Sequence, residues 1–144
     1  MSETRGETAQ ARASRLVAAM LDGDAFSRWL GIELVALVPG GCTVRMTVRG
    51  EMLNGFGVCH GGVTFSLADS ALAFASNTHG RVTMSVENSI SYPASVAAGD
   101  VLTAVAEEES AGNRLAFYSV TVRKQDRTVV ALFRGTVYRT SKHF

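Results

Sequence analysis

The chain has 144 residues, of which 47% are hydrophobic and 19% are charged. This length and composition predict one globular domain with a substantial core, and they exclude a disordered chain or two ordinary domains. The 14 basic and 13 acidic residues leave a formal net charge of +1, without the basic excess typical of proteins that bind nucleic acids or anionic membranes.

Neither a metal site nor a membrane segment is expected. The two cysteines, Cys42 and Cys59, are too few for a disulfide framework, and the three histidines lack the spacing of metal ligands. No stretch approaches the roughly 20 apolar residues of a membrane span, and the apolar run at residues 16–21 is too short for a secretory signal. We therefore expect a cytoplasmic protein with no membrane or nucleic-acid partner.

The first thirty residues predict a flexible start and two short helices. Residues 1–10 are polar, and we expect them to be flexible. Apolar residues at helical spacing predict a helix over residues 11–21. Asp24 is placed to cap a second helix over residues 25–30, which Gly31 would end.

Six strands are predicted, and those at residues 42–48 and 100–107 alternate between apolar and polar residues. The six strands cover residues 32–38, 42–48, 82–92, 100–107, 115–122 and 128–138. Pro39, Gly40 and Gly41 form the first predicted turn. Because the connections are short, the strands are expected to form an antiparallel sheet. No linker or repeat interrupts the pattern, so residues 11–144 are predicted to form one domain.

A long helix is predicted over residues 63–78, between the second and third strands. It is apolar nearly all round, which is typical of a buried helix, and a curved sheet wrapped around it would cover it. The strand at residues 115–122 is apolar on both faces, with Leu115 and Phe117 on one of them. One helix can cover only one face, so the other face predicts a partner subunit.

The candidate site lies in residues 54–69, which read NGFGVCHGGVTFSLAD. A glycine-rich loop leads to Gly61 at a helix start, where unpaired N–H groups can bind an anion or polarise a carbonyl. Asp69 follows within the apolar helix. A lone acid in apolar surroundings costs free energy unless it is paired or used, so Asp69 is a candidate nucleophile or general base. The alternative is a bond to a neighbouring side chain, or exposure to solvent.

Each of the other candidates also has a structural interpretation. Gly61 is either a catalytic amide or a glycine required by a tight turn. His60 is either a general base or a residue that holds the loop by hydrogen bonds. Asn54 either orients a carbonyl or water or begins a turn. Cys59 is interpreted as packing, because neighbouring residues rarely form a productive Cys–His pair.

The spacing of Gly61 and Asp69 limits how the two residues could act together. They are eight positions apart, which is about 12 Å along a helix axis. Both cannot act on one carbonyl within a single chain. If both are catalytic, the amide comes from one subunit and the carboxylate from another, with two antiparallel helices across a two-fold axis.

The pattern Asn-x5-His-Gly-Gly-x7-Asp in this segment resembles the phenylacetic-acid-degradation type of hotdog-fold acyl-CoA thioesterases. The resemblance spans most of the chain from about Gly31 onward and implies an α+β hotdog fold. In that fold a long central helix is wrapped by a curved antiparallel sheet, here with short N-terminal helices. It also implies a homodimer and commonly a homotetramer. No cofactor is implied, since coenzyme A is part of the substrate.

The same resemblance implies roles in the hydrolysis of an acyl-CoA thioester, with aryl-acetyl or medium-chain acyl groups as substrates. Asp69 would be the nucleophile or the general base, and the Gly61 amide would polarise the thioester carbonyl. Asn54 would position the carbonyl or the water, and His60 would support the loop or the leaving group.

Ser85 and Gly62 are the residues expected to bind substrate, with Ser85 near the attacking water. Phe56 replaces a residue that is polar in some relatives, which would reshape the mouth of the pocket. Two other functions remain open. A hotdog hydratase or dehydratase would need a catalytic His paired with an acid in a different motif, and a non-catalytic acyl-CoA-binding module would need no acid.

Overall fold

A computed structural model describes residues 6–144, and its first elements are the two predicted helices. Helix α1 spans Ala9–Gly23 and begins two residues earlier than expected, because Thr8 Oγ1 accepts the N–H of Ala11 and caps it. Helix α2 spans Ala25–Leu30 as predicted. It is capped by Asp24 and ends at Gly31, whose φ is +78°.

The segment predicted to be flexible is helical in part. Residues 9 and 10 belong to α1, and the Gln10 side chain donates a 2.9 Å hydrogen bond to the Leu37 carbonyl. Residues 1–5 lie outside the described residues, so their predicted flexibility stays a prediction.

Within the described residues, six antiparallel strands form one curved sheet. They are Glu33–Val38 (β1), Gly41–Thr47 (β2), Arg81–Ser91 (β3), Val101–Ala111 (β4), Leu115–Arg123 (β5) and Val129–His143 (β6). The spatial order is β1-β2-β4-β5-β6-β3, so β1 and β3 are the edges. Every predicted strand is present. The largest difference is in β6, which continues to His143 because it pairs there with Arg81 of β3.

Helix α3 spans Gly61–Asn77 and packs on the inner face of the sheet, against β2 to β6. Its large buried side chains include Leu67, Leu72 and Phe74, each of which stabilises the fold by about 1.5–3 kcal/mol. The helix starts two residues earlier than predicted, because His60 caps it. Among the described residues, no helix is both long enough and apolar enough to cross a bilayer.

The outer face of the sheet carries exposed apolar side chains. In β5 the residues that face α3 are buried, whereas Leu115 and Phe117 are 44% and 43% exposed on the opposite face. Leu132 and Tyr138 of the neighbouring β6 extend this surface. The two apolar faces predicted for this strand are present in the structure, and a partner subunit that covers the outer face stays a prediction.

Candidate active site

The loop before α3 is held in shape by Asn54. Its Oδ1 accepts the N–H groups of Phe56 (2.9 Å) and Val58 (3.3 Å), and its backbone N–H donates to the Val58 carbonyl (2.8 Å). These are the contacts of a turn residue. Within residues 6–144 its Nδ2 has no hydrogen-bond partner, so the amide group is still available to a substrate oxygen. Phe56, at the tip of the loop, is 93% exposed.

His60 caps α3 through its ring. Nδ1 accepts the N–H of Gly62 at 2.9 Å, which places the hydrogen of the neutral ring on Nε2. The His60 carbonyl also accepts the N–H of Val63. A Cβ at position 62 would lie 3.0 Å from His60 Nδ1, so Gly62 leaves room for the cap. These contacts support the loop, and they leave Nε2 as the nitrogen that can face a ligand.

Gly61 is the first residue of α3, so its N–H has no carbonyl one turn earlier in the helix to bond. The helix dipole adds partial positive charge at this point. Tyr92 Oη donates to the Gly61 carbonyl at 2.8 Å, and a Cβ at position 61 would lie 3.2 Å from the Tyr92 ring. Burial raises the pKa of Tyr92, which keeps its hydroxyl protonated as a donor.

A cavity of about 370 Å³ lies beside Gly61 and Tyr92, a volume within the range of ligand sites. The rest of its lining is mostly small or apolar: Val58, Cys59, Thr64, Pro93, Ala94, Ser95, Val96 and Val130. Burial raises the pKa of the Cys59 thiol, which agrees with its interpretation as a packing residue.

Asp69 lies two turns further along α3 and is half-buried. Desolvation raises the pKa of its carboxyl group, and a hydrogen bond from Asn88 Nδ2 to Asp69 Oδ1, at 3.4 Å, acts in the opposite direction. Among the described residues, no basic side chain forms an ion pair with Asp69. A carboxylate that is desolvated in this way is a stronger base than one in water.

Ser85 is connected to Asp69 through Asn88, a residue that sequence reasoning missed. Ser85 Oγ donates to Asn88 Oδ1 at 2.8 Å, and Asn88 Nδ2 donates to Asp69. Three positions apart, the two β3 residues would face opposite sides of a regular strand. A β-bulge between Ser85 and Glu87 adds one residue and brings both onto the inner face.

A single chain does not bring Gly61 and Asp69 together. Both belong to one continuous helix, about 12 Å apart along its axis. Gly61 lines the cavity, whereas Asp69 does not. Each chain therefore presents the two candidate groups at separate places, which we call half-sites: the helix N-terminus at Gly61 and the carboxylate of Asp69.

Comparison with known proteins identifies the family. The sequence profile of the thioesterase superfamily matches residues 56–131, more than half of the chain. The chain belongs to the thioesterase superfamily. One relative, the acyl-coenzyme A thioesterase PaaI of Escherichia coli, is 40% identical over 121 residues, which cover 84% of this chain and 86% of the relative.

Solved structures of this superfamily have the same fold. The structure of the E. coli PaaI protein, from the phenylacetic acid degradation operon, matches with a TM-score of 0.92 and 36% identity over 94% of this chain and 99% of that chain. A hypothetical thioesterase from Streptococcus pneumoniae, solved with coenzyme A, matches with a TM-score of 0.82 and 25% identity over 88% of this chain and 98% of that one. The predicted α+β hotdog fold and the family resemblance are confirmed, and the chain is a thioester hydrolase.

Proposed function

We propose that this thioesterase hydrolyses acyl-CoA thioesters at sites formed between two subunits. The observation that carries the proposal is the half-buried Asp69, with its raised carboxyl pKa, on the same helix whose N-terminus presents the Gly61 amide. One helix cannot direct both groups at one carbonyl. Two antiparallel helices across a two-fold axis can, because the Gly61 amide of each helix then lies near Asp69 of the other. Each dimer would then hold two complete sites.

The two half-sites supply complementary parts of the reaction. The Gly61 N–H of one subunit stabilises the negative charge that develops on the thioester oxygen. Asp69 of the other subunit either attacks the carbonyl carbon, giving an anhydride that water then hydrolyses, or accepts a proton from the attacking water. In both routes the C–S bond breaks, the thiol leaves as coenzyme A, and water supplies the oxygen of the new carboxylic acid.

The remaining predicted residues surround this reaction. Asn54 positions the carbonyl or the water through its unbonded Nδ2, and His60 faces the leaving group through Nε2. Gly62 and Ser85 contact the substrate. These roles rest on the family resemblance together with the positions of these groups beside the two half-sites.

An aryl-acetyl or medium-chain acyl group is the proposed substrate class. The cavity beside Gly61 is lined mainly by apolar side chains and has room for a group of this size. The similarity to PaaI of E. coli, a protein from the phenylacetic acid degradation operon, supports the same substrate class. Coenzyme A enters as part of the substrate, and no other cofactor is proposed.

The proposal includes a homodimer, and a homotetramer formed through the outer face of the sheet. Strand β3 is an edge of 11 residues that can pair with a second copy. The exposed apolar side chains of β5 and β6 provide the second surface. We also propose that the enzyme works in the cytoplasm.

The substrate proposal predicts a ranking of acyl groups. Free-thiol detection with a panel of CoA thioesters is expected to give a kcat/KM at least about tenfold higher for phenylacetyl-, hydroxyphenylacetyl- or medium-chain acyl-CoA than for acetyl-CoA. The physical reason is that each additional methylene group buried in an apolar pocket contributes about 1–3 kcal/mol to the discrimination between two substrates.

The same panel distinguishes the alternatives. Addition of water to an enoyl-CoA without release of thiol would favour a hydratase. Tight acyl-CoA binding without turnover would favour a non-catalytic module. Equal rates for acetyl-CoA and the larger thioesters would contradict the proposed substrate class and leave the thioesterase activity in place.

A further inference from the structure

Asn88 lies between Asp69, the proposed nucleophile or general base, and the hydroxyl group of Ser85. Its Nδ2 donates to Asp69 Oδ1 (3.4 Å), and its Oδ1 accepts from Ser85 Oγ (2.8 Å). Because an ionised carboxylate only accepts hydrogen bonds, it takes the NH₂ group of Asn88, and this leaves Oδ1 of the amide to accept from the Ser85 hydroxyl. Among the described residues, the other oxygen of this carboxylate, Oδ2, accepts no hydrogen bond.

Gly135 of β6 makes the space that Asn88 occupies. The two residues are paired across the strands, and a Cβ at position 135 would lie 2.8 Å from Asn88 Oδ1 and 2.5 Å from Leu72 Cδ2. Contacts this short would force the amide or the helix to move. The close packing of β6 against α3 at Gly135 therefore leaves the space that the Asn88 side chain fills.

No charged group competes with Asn88 for the carboxylate in the described part of the chain. Glu87 of β3 and Arg134 of β6 lie together on the outer face, where they line a surface depression with Glu109. Arg134 forms an ion pair with Glu109 there. Along α3, the nearest titratable side chain before Asp69 is that of His60, nine positions earlier. Asn88 is thus the polar contact that acts on Asp69 from the sheet.

We propose that Asn88 is a positioning residue, which fixes the Asp69 carboxylate so that its free oxygen faces the half-site of the partner subunit, and that Ser85 fixes the amide of Asn88. This inference rests on the proposed acyl-CoA hydrolysis and adds a residue that neither the motif nor the resemblance assigns. Asn88 does not touch the reacting atoms, and its effect is transmitted through Asp69.

Replacement of Asn88 by leucine, which is similar in size, tests the inference by kinetics. We expect kcat to fall about tenfold with KM unchanged to within about twofold, because a hydrogen bond to a charged group is lost while the substrate contacts remain. We also expect the acid limb of the kcat profile to move to higher pH, because the lost donor no longer favours the ionised carboxylate. Asn88→Gln, which retains an amide donor, is expected to recover part of the rate, and Ser89→Ala on the outer face is the control.

A second measurement does not depend on activity. In ¹³C-carboxyl NMR titrations of the intact protein, the pKa of Asp69 is expected to be higher in Asn88→Leu than in the wild type, and slightly higher in Ser85→Ala. Unchanged kcat together with an unchanged Asp69 pKa would overturn the inference.

If the wild type hydrolyses no thioester, the proposed function fails while the titration still tests the Asn88–Asp69 contact. If Asn88→Leu does not fold, the test rests on Ser85→Ala alone. An unchanged Asp69 pKa together with an unchanged pH profile of kcat in that variant would contradict the inference.

Discussion

Asp69→Asn is expected to lower kcat for thioester hydrolysis by about 100- to 10,000-fold, the range for loss of a general base. The amide has almost the same shape as the carboxylate, but it can neither attack the carbonyl nor accept the proton of water. Steady-state release of free thiol from phenylacetyl-CoA measures the effect. Asp22→Asn, the same substitution at an exposed position near the end of α1, is the matched control and should retain full activity.

The stability of this variant distinguishes a functional acid from a structural one. Because desolvation raises the carboxyl pKa in the folded protein, Asp69 favours folding when it is protonated. That contribution is present below the ordinary aspartate pKa of about 4 and is lost as the pH rises through the raised value. At pH 7 the ionised carboxylate therefore costs stability, and Asp69→Asn should melt at the same or a higher temperature. A variant that is active but less stable would show that Asp69 has a structural role.

Gly61→Pro is expected to lower kcat by about 100- to 1,000-fold, the usual effect of removing one oxyanion donor. Proline deletes the N–H at position 61 and fits the first position of a helix. It also requires an extended residue before it, and His60 already has φ −60° and ψ 132°. The helix should therefore remain intact while the candidate donor is lost.

Gly61→Ala is the matched control for this substitution. Both variants place a Cβ about 3.2 Å from the Tyr92 ring, but only alanine retains the N–H group. Thiol release and thermal melts of the two variants separate the loss of the donor from the steric effect. Equal kcat values for the proline and alanine variants would show that the Gly61 amide does not act in the reaction.

Most of the fold could be predicted because its elements have strong local patterns. The apolar residues of α3 recur on nearly every face of a helix, and strands such as β2 alternate between apolar and polar residues. The start of α3 was predicted too late, because its cap is a histidine rather than one of the common capping residues. The last part of β6, residues 139–143, has little apolar alternation and is ordered by pairing with β3, which is a long-range effect.

Candidate site residues could be chosen from the sequence where their chemistry differs from that of the neighbouring residues. Asp69 is an acid among apolar residues, and Gly61 follows a glycine-rich loop, so both could be chosen as candidates from neighbouring positions alone, and their catalytic roles stay predictions. Asn88 could not, since its contact with Asp69 depends on a β-bulge and on the missing side chain at Gly135. Tyr92 was predicted only as the last residue of the strand at residues 82–92, although its hydroxyl donates a hydrogen bond to the Gly61 carbonyl.

The central claim is that each site takes its amide from one subunit and its carboxylate from the other. Co-expression of Asp69→Asn with Gly61→Pro tests it most directly, because each variant alone should be nearly inactive. Random pairing makes about half of the dimers mixed, and each mixed dimer holds one site with both groups intact, so about a quarter of the wild-type activity should return. Activity no higher than that of the two variants measured separately would contradict the shared site and place both groups in the same chain.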